Sequence, residues 1–365
     1  MKVYPKTISL FASAALLTFT SLSAVETDPV GYVSVDLPDQ SDVRFAVPLT
    51  GPVATSGTIL SVSEGIATVS STQTADQYND SHYLLFTSGV QAGQWFQVTD
   101  TDTNIITTAE NLATLGVAAA DTYKVFPFWT LDSLLPNGGG IPASSNAFGP
   151  VALLSTNDAG AVGINLTPTS TYVYLDATGA AGVGGSAGWY DNSNPFAGSV
   201  SPYLTPESYL TVRNTSGASS TIVLSGAVPV DPLGTQIGRL TTAAQDNLAI
   251  NPYPVAITLN ESGLFESGSF EASSNAFGPT DLLFIFQASD TGINATPSVT
   301  YIYLDATGAA GVGGSAGWYD NSNPFAGAVG DTAEIPAGGA IIIRKPSGAA
   351  GTVSWNPAVP YAANL

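Results

Sequence analysis

The sequence has no cysteine, and its only methionine is Met1. The absence of cysteine excludes disulfide bonds and a lipid anchor attached through cysteine. Beyond residue 1 the chain therefore offers no sulfur atom to oxidation. Catalytic side chains are also scarce, because there is one histidine and only two lysines, Lys124 and Lys345, follow the first few residues. This composition excludes most nucleophilic enzyme mechanisms.

Positively charged residues are also few. Lysine and arginine total 8 against 28 aspartate and glutamate, which gives a net charge of −20. A polyanion is repelled by nucleic acid and by acidic lipid headgroups, so neither is expected as a partner. Hydrophobic residues make up 44% of the 365 residues and charged residues only 10%, so the chain can bury a core and form two or three domains.

Residues 1–24 have the features of a secretory signal peptide. Lys2 and Lys6 supply the positive start, residues 8–22 form the apolar stretch, and Ser21, Ser23 and Ala24 are small residues suited to cleavage. No later stretch approaches the ~18 apolar residues of a membrane-spanning helix. We expect an exported protein that resides in the periplasm, on the cell surface or outside the cell.

Two blocks of sequence occur twice. ASSNAFGP stands at 143–150 and 272–279, and YLDATGAAGVGGSAGWYDNSNPFAG stands at 174–198 and 303–327. The 23 residues between the blocks match at only 10 positions, so identity is concentrated in the blocks themselves. Both blocks would stay identical if they contacted the same partner, but gene conversion or a structurally constrained loop would have the same effect. The two interpretations remain open.

The predicted fold class is all-β, with a small N-terminal β-barrel or sandwich followed by two homologous sandwich-like repeats. The predicted divisions are a signal peptide at 1–24, an N-terminal module at 25–123, repeats at 124–229 and 251–360, a connector at 230–250 and a tail at 361–365. Residues 171–176 alternate in character, which predicts a strand with Val173 and Leu175 on one face. This strand and residues 188–190 are expected to form a hairpin with a flexible tip. A second hairpin is expected from residues 209–213 and 221–224, and its counterpart in the second repeat from residues 340–344 and 352–355.

Several short motifs carry a resemblance to a known group of proteins. They include Thr27-Asp28-Pro29-Val30-Gly31-Tyr32-Val33, Arg44 leading into Ala46-Val47-Pro48-Leu49, and Thr87-Ser88-Gly89 followed by Gly93-Gln94-Trp95. In these motifs the chain resembles an uncharacterised family of signal-peptide-bearing proteins of verrucomicrobial bacteria. The resemblance implies export and several paralogues, and it supplies no activity and no catalytic residues.

Acidic and amide side chains flank the glycine-rich part of each block. Clustered oxygen ligands at a loop are typical of Ca²⁺ sites, although the same residues also cap turns. The candidate Ca²⁺ ligands are Asp176, Asp191 and Asn194 in the first repeat and Asp305, Asp320 and Asn323 in the second. No other cofactor is expected.

The same blocks combine aromatic and hydrogen-bonding side chains, as carbohydrate sites do. Against this interpretation, a tryptophan in a strand usually packs in the core. The candidate sugar-binding residues are Trp189, Tyr190, Asp191 and Asn192 in the first repeat and Trp318, Tyr319, Asp320 and Asn321 in the second. Two copies would give avidity.

Two further motifs are weak. Residues 182–186 are glycine-rich, but they link two predicted strands and contain no lysine, unlike a phosphate-binding loop. His82 follows Ser81, and neighbours in one strand point to opposite faces, so a catalytic Ser-His pair is not expected.

These observations favour a non-enzymatic structural or adhesive protein of the cell envelope, surface or extracellular matrix. Its expected partners are other copies of itself or an envelope polysaccharide. The alternative is a bivalent carbohydrate-binding protein that uses the duplicated Trp-Tyr-Asp-Asn segments.

Overall fold

A computed structural model describes residues 29–157, 160–287 and 291–364. The predicted signal peptide at 1–24 and the start of the TDPVGY motif lie outside these residues. The described chain confirms the all-β prediction, since it consists of strands joined by short turns and its longest helices have five residues. None of the described helices has the length and apolar composition needed to cross a membrane.

Two strands and a barrel form the first part of the chain. Strand β1 (Val30–Leu37) and strand β2 (Ser41–Phe45) come first. A closed six-stranded barrel follows, formed by β3 (Thr55–Ser63), β4 (Ile66–Val69), β5 (His82–Phe86), β6 (Trp95–Asp102), β7 (Ile105–Thr108) and β8 (Thr122–Pro127). Residues 112–116 form turns between β7 and β8.

The first repeat contains one five-stranded sheet and shorter ribbons. Its remaining elements are β9 (Trp129–Thr130), α1 (Leu131–Leu134), β10 (Ala152–Thr156), β11 (Ser170–Leu175), α2 (Ala177–Ala181), β12 (Gly188–Asp191), β13 (Tyr203–Leu204), β14 (Leu210–Asn214) and β15 (Ser220–Ala227), with 3₁₀ turns at Pro136–Gly138 and Pro195–Ala197. The sheet order is β12-β11-β10-β14-β2, and β1 pairs with β15.

The second repeat has the same architecture. Its elements are β16 (Thr235–Arg239), β17 (Gln245–Ile250), β18 (Ile257–Thr258), β19 (Leu282–Ile285), β20 (Val299–Leu304), α3 (Ala306–Ala310), β21 (Gly317–Asp320), β22 (Glu334–Ile335), β23 (Ala340–Lys345) and β24 (Gly351–Trp355), with 3₁₀ turns at Pro324–Ala326 and Ala362–Asn364. Its sheet order is β21-β20-β19-β23-β17, so β17 occupies the place of β2 and β16 that of β1.

This architecture corrects the predicted divisions of the chain. Strand β2, predicted within the N-terminal module, pairs with β14 and completes the sheet of the first repeat. The barrel is therefore inserted into the first repeat, between β2 and β9. Residues 230–250 are not a connector, because they contain β16 and β17, which pair with β24 and β23. Comparison of the two repeats along the sequence missed the equivalence of β2 and β17, because the barrel separates β2 from the rest of its repeat.

The structure also corrects the second predicted hairpin. Strands β14 and β15 are adjacent in sequence but do not pair with each other, since β14 pairs with β10 and β2, and β15 with β1. The same holds for β23 and β24, which pair with β17 and β16. The β1–β15 ribbon packs over the five-stranded sheet, and apolar residues of both layers form the main core of the repeat. Burial between the two layers, rather than a tight turn, decides these pairings.

The two repeats make equivalent contacts with each other. In the first, the buried carboxylate of Asp42 accepts hydrogen bonds from Arg213 at 2.7 and 2.8 Å and from the backbone N–H of Asn294, in the second repeat, at 2.7 Å. In the second, Asp246 accepts the corresponding bonds from Arg344 at 2.6 and 2.8 Å and from Asn165 at 2.7 Å. Each repeat thus extends a loop to a buried carboxylate of the other.

Candidate functional site

The two identical blocks meet in space within each repeat. In the first repeat, the backbone N–H of Ser144 donates to the carbonyl of Tyr174 at 2.8 Å, and the N–H of Asp176 donates to the carbonyl of Ser144 at 3.1 Å. Ser273 makes the same pairing in the second repeat, where it forms an isolated bridge with Leu304. The blocks that match in sequence are therefore one structural unit, present twice.

A small hydrophobic cluster holds this unit together. In the first repeat it consists of Ala147, Val173, Leu175, Ala180 and Tyr190, all buried. Tyr172 and Tyr174 pack on the opposite side, against the main core, so β11 has the alternation expected from the sequence. The equivalent cluster of the second repeat contains Ala276, Ile302, Leu304, Ala309 and Tyr319.

Some identical positions leave no room for other side chains. A Cβ atom at Gly179 would clash with the carbonyl oxygen of Ser144, and one at Gly185 would clash with the Tyr190 hydroxyl. That hydroxyl donates to the carbonyl of Ser186 at 2.7 Å. The glycine-rich loop is thus packed against its own hairpin, which gives part of the sequence identity a structural cause.

The predicted sugar-binding aromatic residues lie in the core. Trp189 and Tyr190 are 1% exposed, and Trp318 and Tyr319 are 1% and 0% exposed. Trp189 Nε1 donates to the carbonyl of Leu135 at 3.4 Å. Their rings offer no face to a ligand, and the aromatic platform predicted from these residues is wrong. The hydrophobic area of a large indole favours burial against the second layer of the repeat over exposure at a loop.

The predicted Ca²⁺ ligands are separated along the hairpin. Strand β12 pairs Asp191 with Tyr172, whereas Asp176 follows Leu175 at the other end of β11, roughly 13 Å away at 3.3 Å per residue. Asp176 caps α2 by accepting from the N–H of Gly179 at 2.8 Å, and Asp191 accepts from Ser193 N–H at 2.8 Å. Asp305 and Asp320 have the same roles, and Asn194 and Asn323 precede the 3₁₀ turns. No described group of three acidic or histidine side chains could hold a metal ion.

Hydrogen bonds keep both carboxylates of the first unit ionised. A hydrogen bond from Ser145, followed by one from Gly179 N–H, lowers the pKa of Asp176 below its usual 3.8. Hydrogen bonds from the Ser193 side chain and backbone similarly lower the pKa of Asp191. The half-buried Asn192 completes the turn by donating its N–H to the carbonyl of Thr171 at 2.9 Å; Asn321 donates equivalently to Thr300. These polar residues hold the shape of the loops.

The hairpin tip that was predicted to be flexible begins with the helix α2, and the glycine-rich segment follows this helix.

The neighbours Ser81 and His82 are hydrogen-bonded, unlike the prediction for two residues of one strand. Ser81 lies in the turn before β5, so its hydroxyl reaches His82 Nδ1 at 2.8 Å. His82 also contacts the ring of Tyr78, with centroids 4.7 Å apart. No described carboxylate completes a triad around this pair.

The exposed large hydrophobic side chains of the unit are a pair of phenylalanines that the sequence analysis missed. Phe148 comes from the first block and Phe196 from the second, with ring centroids 5.6 Å apart and exposures of 69% and 65%. Phe277 and Phe325 form the equivalent pair in the second repeat, 5.9 Å apart and 72% and 65% exposed. We call these pairs aromatic patch 1 and aromatic patch 2. Their signal in the sequence was the identity of the blocks around them.

Hydrogen bonds and a buried proline fix the loops that carry the exposed rings. The N–H of Phe148 donates to Asn146 Oδ1 at 2.9 Å, which fixes the loop before it, while Pro195 is buried and anchors the 3₁₀ turn that carries Phe196. Phe277 has the same bond to Asn275. The four rings lie outside the buried clusters, so packing of the core does not require phenylalanine at these positions.

Comparisons with protein-family models, curated proteins and solved structures find no significant match for the chain. The geometry itself is therefore the basis for a functional interpretation. Two exposed aromatic pairs of the same composition, on equivalent rigid hairpins, can make the same contact twice.

Proposed function

We propose that the protein is an exported, non-enzymatic structural or adhesive component of the bacterial envelope, surface or extracellular matrix, and that copies of it assemble through the two aromatic patches. The duplication of the exposed phenylalanine pair carries this proposal. The signal-like residues 1–24 and the sulfur-free composition beyond them support the location.

The size of each patch favours repeated weak contacts. Two phenylalanines at about two-thirds exposure offer on the order of 250 Å² of surface, taking about 200 Å² for each ring. A stable interface buries about 800 Å² on each partner, so one patch alone binds weakly. A molecule with two patches gains avidity in an array of copies. The large negative charge opposes association, and salt should therefore promote it by screening the repulsion.

A second copy of the chain is the partner that the patches fit. Aromatic rings pack well against other aromatic rings, and each patch has the same composition as the other, so either patch of one molecule can meet either patch of the next. A chain with two such patches forms extended assemblies, while a chain with one forms only dimers.

Sedimentation velocity in high salt on the protein without its predicted leader tests this proposal. Wild type should form species larger than dimers. The variants F148S/F196S and F277S/F325S, each with one remaining patch, should stop at dimers, and the fourfold variant should be monomeric. Tyr32→Ser serves as a control, because Tyr32 is 76% exposed outside the patches. Wild type that stays monomeric, or assembly unchanged in the fourfold variant, would refute the proposal.

A further inference from the structure

A cleft lies between the two five-stranded sheets, where the repeats meet. Its volume is about 790 Å³, within the range of small-molecule sites. Its walls are the sheet faces that do not contribute to the main cores, closed at the sides by the two loops that reach Asp42 and Asp246. The cleft shares no residue with the aromatic patches.

The two walls of the cleft differ in chemistry although they come from equivalent strands. Arg44 on β2 corresponds to Leu248 on β17. Two other pairs of equivalent positions also exchange a polar residue for an apolar one. Ser155 and Thr211 line the first wall, and Phe284 and Ile342 line the second. At these positions the first wall is polar and basic and the second is apolar and aromatic, while each wall keeps its own Asp–Arg pair.

Positive charge is concentrated in this cleft. Three of the four arginines of the chain line it, Arg44, Arg213 and Arg344. Arg213 and Arg344 are neutralised by Asp42 and Asp246. Arg44 makes no salt bridge to any described residue; its guanidinium carbon lies 3.9 Å from the ring centroid of Phe286. The cleft thus carries one uncompensated positive charge in a protein that is otherwise strongly acidic.

A buried hydroxyl in the same wall also lacks a partner. Tyr209 lines the cleft and is 5% exposed, and its hydroxyl has no hydrogen-bond partner in the described part of the chain. Burial raises the pKa of this tyrosine, so the hydroxyl keeps its proton. A buried hydroxyl without an acceptor is unfavourable, and an acceptor brought by a ligand would relieve that cost.

We propose that the cleft binds a small organic carboxylate with an apolar or aromatic body. The guanidinium of Arg44 pairs with the carboxylate, as its planar donors allow, and the Tyr209 hydroxyl is the adjacent donor. The body of the ligand packs against Leu248, Phe284 and Ile342. An inorganic anion would leave this apolar wall unused, and a neutral apolar molecule would leave Arg44 without a counter-charge.

Isothermal titration calorimetry with benzoate, phenylacetate and hexanoate as probes tests the site on the protein without its leader. Each carboxylate should bind, and the matched neutral amides, such as benzamide, should bind at least tenfold more weakly. Arg44→Leu should weaken carboxylate binding at least tenfold, and the fold should tolerate it, because Leu248 stands at the equivalent position. Tyr209→Phe should weaken binding a few-fold.

Lys124→Met is the charge-matched control, because it removes one positive charge outside the cleft. It should leave binding unchanged, and urea unfolding should show that the Arg44→Leu variant remains folded. The proposal is overturned if none of the three carboxylates binds the wild type at millimolar concentration, or if the folded Arg44→Leu variant binds them as well as the wild type does.

Discussion

Replacing Asp246 by alanine should destabilise the protein by about 3 kcal/mol, through the junction between the repeats. Breaking a buried ion pair by removing one partner costs about 3–5 kcal/mol, because the other charge is left uncompensated. The Asp246 side chain is 2% exposed, and its partner Arg344 is 28% exposed, so water can partly solvate the freed guanidinium. This places the expected cost at the lower end of the range. The backbone N–H of Asn165 also loses its acceptor.

Asp42 provides an internal comparison at the equivalent position. Its partner Arg213 is 40% exposed, so more of the freed charge returns to water, and we expect Asp42→Ala to cost about 2 kcal/mol. The matched control is Asp36→Ala, since Asp36 is exposed on β1, and its loss should cost less than about 0.5 kcal/mol.

Urea unfolding followed by circular dichroism measures all three variants. The reasoning requires the order Asp246→Ala, then Asp42→Ala, then Asp36→Ala, from largest to smallest loss. A loss for Asp246→Ala no greater than that of the exposed control would show that the reciprocal contacts do not stabilise the junction. The opposite order of Asp42 and Asp246 would show that exposure of the arginine does not set the cost.

Three other predictions concern charge and titration. Burial by itself would raise the pKa of Asp42, but hydrogen bonds from Arg213 and from the backbone N–H of Asn294 lower this pKa below 3.8. The stability that the ionised Asp42 contributes is therefore present above about pH 4 and is lost as the pH falls through the folded pKa. In an acid unfolding series, the stabilities of Asp42→Asn and wild type should converge. Burial lowers the pKa of His82 below 6.5, so the NMR titration of this single histidine should have a midpoint below 6.5. Stability should fall as the pH drops below 6.5, because the unfolded state binds the proton first. A midpoint above 6.5 would contradict this prediction. Asp281 is fully buried and accepts bonds from Lys345 at 2.6 Å and Arg239 at 2.8 Å, so Asp281→Ala should cost about 4 kcal/mol in urea unfolding and exceed the cost of either junction variant; a smaller cost would indicate that the two cations find other partners.

The sequence predicted the all-β class and the face alternation of β11 correctly, but not the pairing of β14 with β15. Alternation in residues 171–176 placed Val173 and Leu175 on one face, because this pattern depends on neighbours along the chain. Repeat identity also marked the unit that carries the aromatic patches. The choice of which residues in that unit are exposed was wrong, since Trp189 and Phe196 are both aromatic and only packing separates a core side chain from a surface one.

By itself, then, the amino-acid sequence determined that the chain is built from strands, that two of its modules are alike and that its charge is strongly negative. Only the tertiary structure decided that the barrel interrupts the first repeat, that β14 and β15 belong to different layers, and that Arg44 lies in a cleft between the repeats, against Phe286. Strand pairing joins residues far apart in the chain through backbone hydrogen bonds that any sequence can form. The partner of each strand is therefore chosen by how the faces of the completed sheets bury their side chains, which no local pattern records.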